Sequence, residues 1–194
     1  KVANVNWVEG ERNPDFSLNL VAALNQIKKV QPALTFITTP NNPTGTSLSI
    51  SEIEELAKAT SQVNGLLIVD EAYAEFSKES SAITLISKYP NILVSRTMSK
   101  AFAFAGVRLG YLASNKVVVD ALQLVRLPYH LSAITQAAAE VALDFQDELL
   151  AEVSKLAKDR DALAVALAGL GLKVIPSDAN FILFTGFKQN SQEL

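Results

Sequence analysis

Lys100 stands in an unusual setting. It lies in RTMSKAFAFAG (residues 96–106), between a polar Thr-Met-Ser turn and a run of small and aromatic side chains. A lysine kept for hydration sits on a wet face with its ammonium in water. One set against apolar neighbours is a candidate for amine chemistry, because burial and nearby cations favour its neutral, nucleophilic form. Two other stretches carry comparable potential: PNNPTG (40–45) and DEAY (70–73). Asn42 precedes Asp70 by 28 positions, and Asp70 precedes Lys100 by 30. Each interval matches one strand–helix–strand step.

The elements that would position these residues alternate along the chain. FSLNLVAALNQIKKV has helical apolar spacing, with Ser17 or Asp15 as its cap. ALTFITT (33–39) reads as a β-branched strand ending at Pro40. Ser49 and Glu52 stand at capping-box spacing ahead of a helix running to Gln62. GLLIVD (65–70) and NILVSRT (91–97) read as strands buried on both faces. SSAITLISKYP between them reads as a short helix, and VRLGYLAS after them as a further strand. Helical stretches follow at about 115–127 and 131–169, the second broken near Asp144–Asp147. GLKVIPSDANFILF returns to strand, turn and strand.

This alternation predicts an α/β fold built on a doubly wound, mostly parallel sheet. The change of pattern at Gly169–Gly171 suggests a boundary, with a large domain over 1–169 and the start of a smaller α+β domain over 170–194. In such sheets functional loops leave the carboxyl ends of the strands. Asn42, Asp70 and Lys100 should therefore meet at one sheet edge. The chain opens at KVANVNWVEG, already strand-like and without an initiating methionine, and closes on a polar tail. Both ends suggest a piece of a longer protein.

Composition narrows the chemistry. The 194 residues carry a net charge of −3 and no cysteine, which excludes thiol nucleophiles, disulfides and cysteine metal sites. The single histidine, His130, cannot supply a two-histidine metal site, and no metal is expected. The acidic balance gives no support for nucleic-acid binding. No apolar run reaches membrane-spanning length, and a cytoplasmic protein is expected.

Each motif also has a plain structural reading. PNNPTG could be only a turn, Asp70 a helix cap, Lys100 a snorkelling surface lysine, and Thr97 and Ser99 turn hydroxyls. Arg108 could pair with any acid, and His130 reads as a loop residue. Their joint occurrence at strand spacing favours one chemistry, pyridoxal phosphate (PLP) held as an imine. A lysine amine forms the imine. A carboxylate, Asp70, keeps the pyridine nitrogen protonated and the ring an electron sink. Thr97, Ser99 and Arg108 supply hydroxyls and a guanidinium for the phosphate.

The set PNNPTG, VDEAYAEF, SRTMSKAFAFAGVRLGY and VRLPYHLSAITQ resembles the fold-type-I PLP-dependent aminotransferases, most of all the histidinol-phosphate aminotransferases. The resemblance covers nearly the whole chain, as the middle of the family's sequence. It implies that Lys100 is the imine-forming lysine and that Asp70 pairs with the pyridine nitrogen. It also implies that Asn42 and Tyr73 bond the cofactor's phenolic oxygen, and that Thr97, Ser99 and Arg108 bind its phosphate. The implied reaction exchanges histidinol phosphate and 2-oxoglutarate for imidazole-acetol phosphate and glutamate, in a homodimer. The family's ring-stacking aromatic and its substrate-carboxylate arginine would lie outside these residues, and Asn180 in SDANF is taken as structural. An aromatic-amino-acid aminotransferase is the alternative, with a PLP-dependent phosphate-ester decarboxylase further off. From another class, the chain could be a non-catalytic α/β binding module or an inactive fragment.

Overall fold

The computed structural model describes residues 5–186. Its centre is a four-stranded sheet in the order β1 (Leu34–Thr38), β2 (Leu66–Asp70), β3 (Ile92–Thr97) and β4 (Gly110–Ser114). The first three strands are parallel and β4 is antiparallel to β3. A parallel return needs a crossover, usually helical. Residues 98–109 hold only one 3₁₀ turn, Ala105–Val107, so the chain comes back beside β3 in the opposite direction.

Helix α1 (Leu20–Val30) precedes β1, and α2 (Ile50–Gln62) connects β1 to β2. Glu52 closes the expected capping box: Ser49 Oγ accepts from Glu52 N, and the Glu52 carboxylate accepts from Ser49 N at 2.8 Å. The cap of α1 is Asn19, whose side chain accepts from Ala22 N at 3.0 Å, rather than Ser17 or Asp15. Those two are engaged in a turn one step earlier, where Asp15 Oδ1 accepts from both the amide and the hydroxyl of Ser17. The expected helix at SSAITLISKYP shrinks to a 3₁₀ turn at Ala82–Leu85. The strand expected at the start is absent over residues 5–10, where Val5, Trp7 and Val8 are exposed with no strand beside them, and residues 1–4 lie outside the described part.

The main core fills one face of the sheet. Leu67 and Val69 of β2 and Ile92 and Val94 of β3 pack against Ile27 of α1 and Ile53, Leu56 and Ala57 of α2. Beyond β4 come α3 (Lys116–Val125), α4 (Ala133–Asp144) and α5 (Gln146–Gly169). The expected break falls at Phe145, which ends α4 and starts α5. Strands β5 (Lys173–Val174) and β6 (Phe184–Thr185) form a separate antiparallel pair. The segment between them returns to the main body, where Asp178 N donates to Gly45 O at 2.8 Å. Val153 of α5 joins Tyr73, Phe76, Ala101 and Ala179 in a second buried cluster. Residues 187–194, the end of the expected small domain, lie outside the described part.

One tertiary link depends on pH in a defined direction. Glu54 of α2 accepts from Lys88 Nζ at 2.7 Å and from Tyr89 OH at 2.6 Å. Those bonds pull its carboxyl from an ordinary 4.5 down to about 2. A carboxylate more acidic in the folded state stabilises it above the unfolded value, and the benefit fades as pH falls through the folded one. Unfolding midpoints of the full-length protein should therefore fall between pH 5 and about 2, and Glu54→Gln should flatten part of that slope. An identical slope in the variant would remove Glu54 from the account.

Candidate active site

The pleat separates the site from the core. Leu67 and Val69 turn to the core, so Asp70 at the end of β2 turns to the opposite face. It stands in register between Thr38 of β1 and Ser95 of β3. The same alternation carries Ser95 and Thr97 to the face of Asp70, while Val94 and Arg96 take the core side. Asp70 Oδ1 accepts from Ala72 N at 3.1 Å. Among the described residues its carboxylate has no ion-pair partner.

The loop after β1 brings Asn42 across to the loop after β2. Its turn is closed by Asn41 N donating to Thr46 O at 2.9 Å and Gly45 N donating to Asn41 O at 2.7 Å. Gly45 has φ +77°, and a Cβ there would overlap Ser177, so glycine is needed both for backbone and for space. Asn42 Nδ2 donates to Tyr73 OH at 3.0 Å. The Tyr73 ring is buried edge-to-face against Phe181, with centroids 5.2 Å apart. Lys100 Nζ lies 5.5 Å from the centre of that ring. Tyr73 therefore touches Asn42 with its hydroxyl and approaches Lys100 with its face.

The setting of Lys100 differs from the expected apolar one: its side chain is exposed. Ala101 is buried and Phe102 packs into the second cluster, while Ala103, Ala105 and Gly106 stay exposed. Thr97 and Ser99 form one unit, their hydroxyls 2.9 Å apart, with Thr97 Oγ1 accepting from Ser99 N at 3.1 Å. Met98 N donates to Leu109 O at 3.1 Å, closing the Lys100 loop at its base. Arg108 sits beside that closure with left-handed backbone (φ 58°), and Nη1 donates to Ala105 O at 3.0 Å. Its guanidinium is exposed and makes no bond to Thr97 or Ser99. Asn42, Asp70, Tyr73 and Lys100 thus gather at the carboxyl ends of three parallel strands, while Arg108 lies on the same loop turned to its own backbone. His130 and Asn180 are exposed.

Behind the site is a charged cluster that the sequence reading did not anticipate. Glu71, adjacent to Asp70, accepts from Arg96 Nε at 3.0 Å and Nη2 at 2.8 Å. It also accepts from Ser81 Oγ at 2.7 Å and Ala82 N at 2.6 Å. Arg96 Nη1 donates to Glu75 at 3.0 Å. Burial opposes the charge on Arg96, but Glu71 and Glu75 outweigh it and hold the guanidinium above its ordinary value. The available signal was positional: Glu71 follows Asp70 and Arg96 precedes Thr97, so the pleat sends both to the core side, where a lone charge is not tolerated.

Comparison with known proteins gives the chain a family. The model of aminotransferase class I and II matches residues 1–194. The chain belongs to that family. It is 54% identical over 187 residues to the histidinol-phosphate aminotransferase of Thermobifida fusca, covering 95% of this chain and 50% of that protein. It is 56% identical over 182 residues to the enzyme of the same name from Nocardia farcinica, covering 93% and 46%. The crystal structure of histidinol-phosphate aminotransferase from Sinorhizobium meliloti in complex with pyridoxal-5'-phosphate superimposes with a TM-score of 0.82 at 30% identity, over 91% of this chain and 48% of that one. The chain spans about half the length of the curated relatives it matches. Its fold is that of these aminotransferases, an α/β architecture on a mixed, mostly parallel sheet.

Within this family member the Tyr73 hydroxyl and ring do separable work. Tyr73→Phe keeps the ring against Phe181 and loses one hydrogen bond, a cost of about 1 kcal/mol. Tyr73→Ala empties part of the second core and should cost about 3–5 kcal/mol. Denaturant unfolding of the two full-length variants measures both. Equal losses would mean that the hydroxyl holds the fold together and is not free for site chemistry.

Proposed function

We propose that this chain is the cofactor-binding part of a PLP-dependent transaminase acting on histidinol phosphate. The whole protein would convert histidinol phosphate and 2-oxoglutarate to imidazole-acetol phosphate and glutamate. The observation that carries the reading is the meeting, at one sheet edge, of a carboxylate and a lysine with no ion-pair partner among the described residues and of a hydrogen-bonded Asn42–Tyr73 pair. That donor set fits PLP: an amine for the aldehyde carbon, an acid for the ring nitrogen, and polar hydrogens for the phenolic oxygen. The substrate assignment draws its support from relatives of that name above 50% identity.

PLP, when bound, supplies an electron sink for the bond broken at the substrate's amine-bearing carbon. In this reading Lys100 would hold the cofactor through its amine. The same amine would move the proton at the substrate's amine-bearing carbon, as general base and acid of the exchange. Asp70 keeps the ring nitrogen protonated. Asn42 and Tyr73 orient the ring through its oxygen, and Thr97, Ser99 and Arg108 hold the phosphate. For Arg108 this requires its guanidinium to leave the Ala105 carbonyl. Residues 1–169 form the large domain in this proposal, and residue 170 onward begins the small one. Exposed Leu124, Val125 and Leu127 at the end of α3 support a homodimer or further chain covering that face. The setting proposed for the reaction is the cytoplasm.

Single-turnover rates of the full-length protein with histidinol phosphate and with phenylalanine test the assignment. The expected outcome is at least a tenfold preference in kcat/KM for histidinol phosphate. Lys100→Ala should slow the exchange by about 10²–10⁴-fold and Asp70→Asn by about 100-fold or more. A preference for phenylalanine would move the protein to the aromatic transaminases. Unchanged turnover in Asp70→Asn would show that another group holds the ring nitrogen.

A further inference from the structure

The Glu71–Arg96–Glu75 cluster belongs to neither the hydrophobic core nor the site face. Its side chains are nearly buried, at 3% exposure for Glu71, 10% for Glu75 and 15% for Arg96. Buried charges of this kind are weak stabilisers, because desolvation offsets their attraction. Their use is more often to fix one arrangement against others. The chain positions show what this one fixes. Glu71 is next to Asp70, and Glu75 lies two residues after Tyr73. Arg96 directly precedes Thr97 and stands four residues before Lys100.

We infer that Arg96 is a positioning residue of the active site, clamping the loop after β2 from behind to the end of β3, from which the Lys100 loop leaves. One guanidinium reaches the residue after Asp70 and the second residue after Tyr73. Nε and Nη2 grip Glu71, and Nη1 grips Glu75. Glu71 is itself saturated by Ser81 and Ala82, which ties the clamp to the next 3₁₀ turn. The second oxygen of Glu75 is buried without a hydrogen-bond partner among the described residues. Arg96 is thus the cation on which both carboxylates depend. Only a planar fork on a long stem can meet both at once; a lysine ammonium can reach one or the other. Movement of either loop would shift Asp70 and Tyr73 relative to Lys100, and small misplacements of such groups weaken both cofactor binding and rate. This inference rests on the PLP reading of the site.

The test uses full-length protein stripped of cofactor, titrated with PLP and followed by its visible absorption. Arg96→Lys keeps the charge and loses the fork; Glu75→Gln keeps the shape and loses one charge. Leu56→Ala, in the main core, serves as a variant destabilised away from the site. Arg96→Lys is expected to raise the PLP dissociation constant at least tenfold and to lower kcat about tenfold, with KM for the amino donor within threefold. Glu75→Gln should raise the dissociation constant about threefold, and Leu56→Ala should leave it within twofold of the parent. The inference is overturned if the folded Arg96→Lys and Glu75→Gln variants bind PLP within twofold of the parent. It is equally overturned if Leu56→Ala weakens binding as much as they do, since the effect would then report fold stability. A parent protein that binds no PLP would instead overturn the cofactor reading, and this inference with it.

Discussion

The structure depends on the parallel register that sets Thr38, Asp70 and Ser95 side by side. Parallel pairing aligns the carboxyl ends of consecutive strands, so the loops that follow them emerge together. Residues 28 and 30 positions apart in sequence become neighbours without any direct link between them. The period-2 pleat then sorts each strand end into two functions. Asp70 and Thr97 turn outward to the site, and Glu71 and Arg96 turn inward. A register slip of one residue would exchange those roles and bury Asp70 where the cluster now sits.

The inward side explains why the register is secure. Leu67, Val69, Ile92 and Val94 are fully buried against α1 and α2, so the strands cannot slide without exposing them. The charged cluster continues the same rows beyond the apolar ones: Val69 is followed two residues later by Glu71, and Val94 by Arg96. Core packing thus ends where ion pairing begins, and the site stands directly behind that boundary.

Much of this was legible in the residues. The apolar runs of β2 and β3, the Ser49–Glu52 box and the break between α4 and α5 are local signals, and local physics settles them. The convergence of Asn42, Asp70 and Lys100 was legible too, because strand spacing and parallel topology imply it; Tyr73 came only with the family resemblance. What the residues did not disclose depends on partners distant in sequence. The cap of α1 moved to Asn19 because Asp15 and Ser17 are engaged with each other in a turn. The Glu71–Arg96 pair joins residues 25 apart, and nothing local in DEAY or SRT marks it. Lys100 is exposed because only Ala101 and Phe102 of the following run turn inward.

The central claim is that Lys100 is the amine that forms the covalent link to PLP. The most direct measurement is borohydride reduction of the full-length protein loaded with PLP, followed by proteolysis and peptide mass mapping. The account predicts one phosphopyridoxyl label, on the peptide that contains Lys100, and its loss in Lys100→Ala. A label of similar yield on another lysine, or no label on a protein that binds the cofactor, would contradict it.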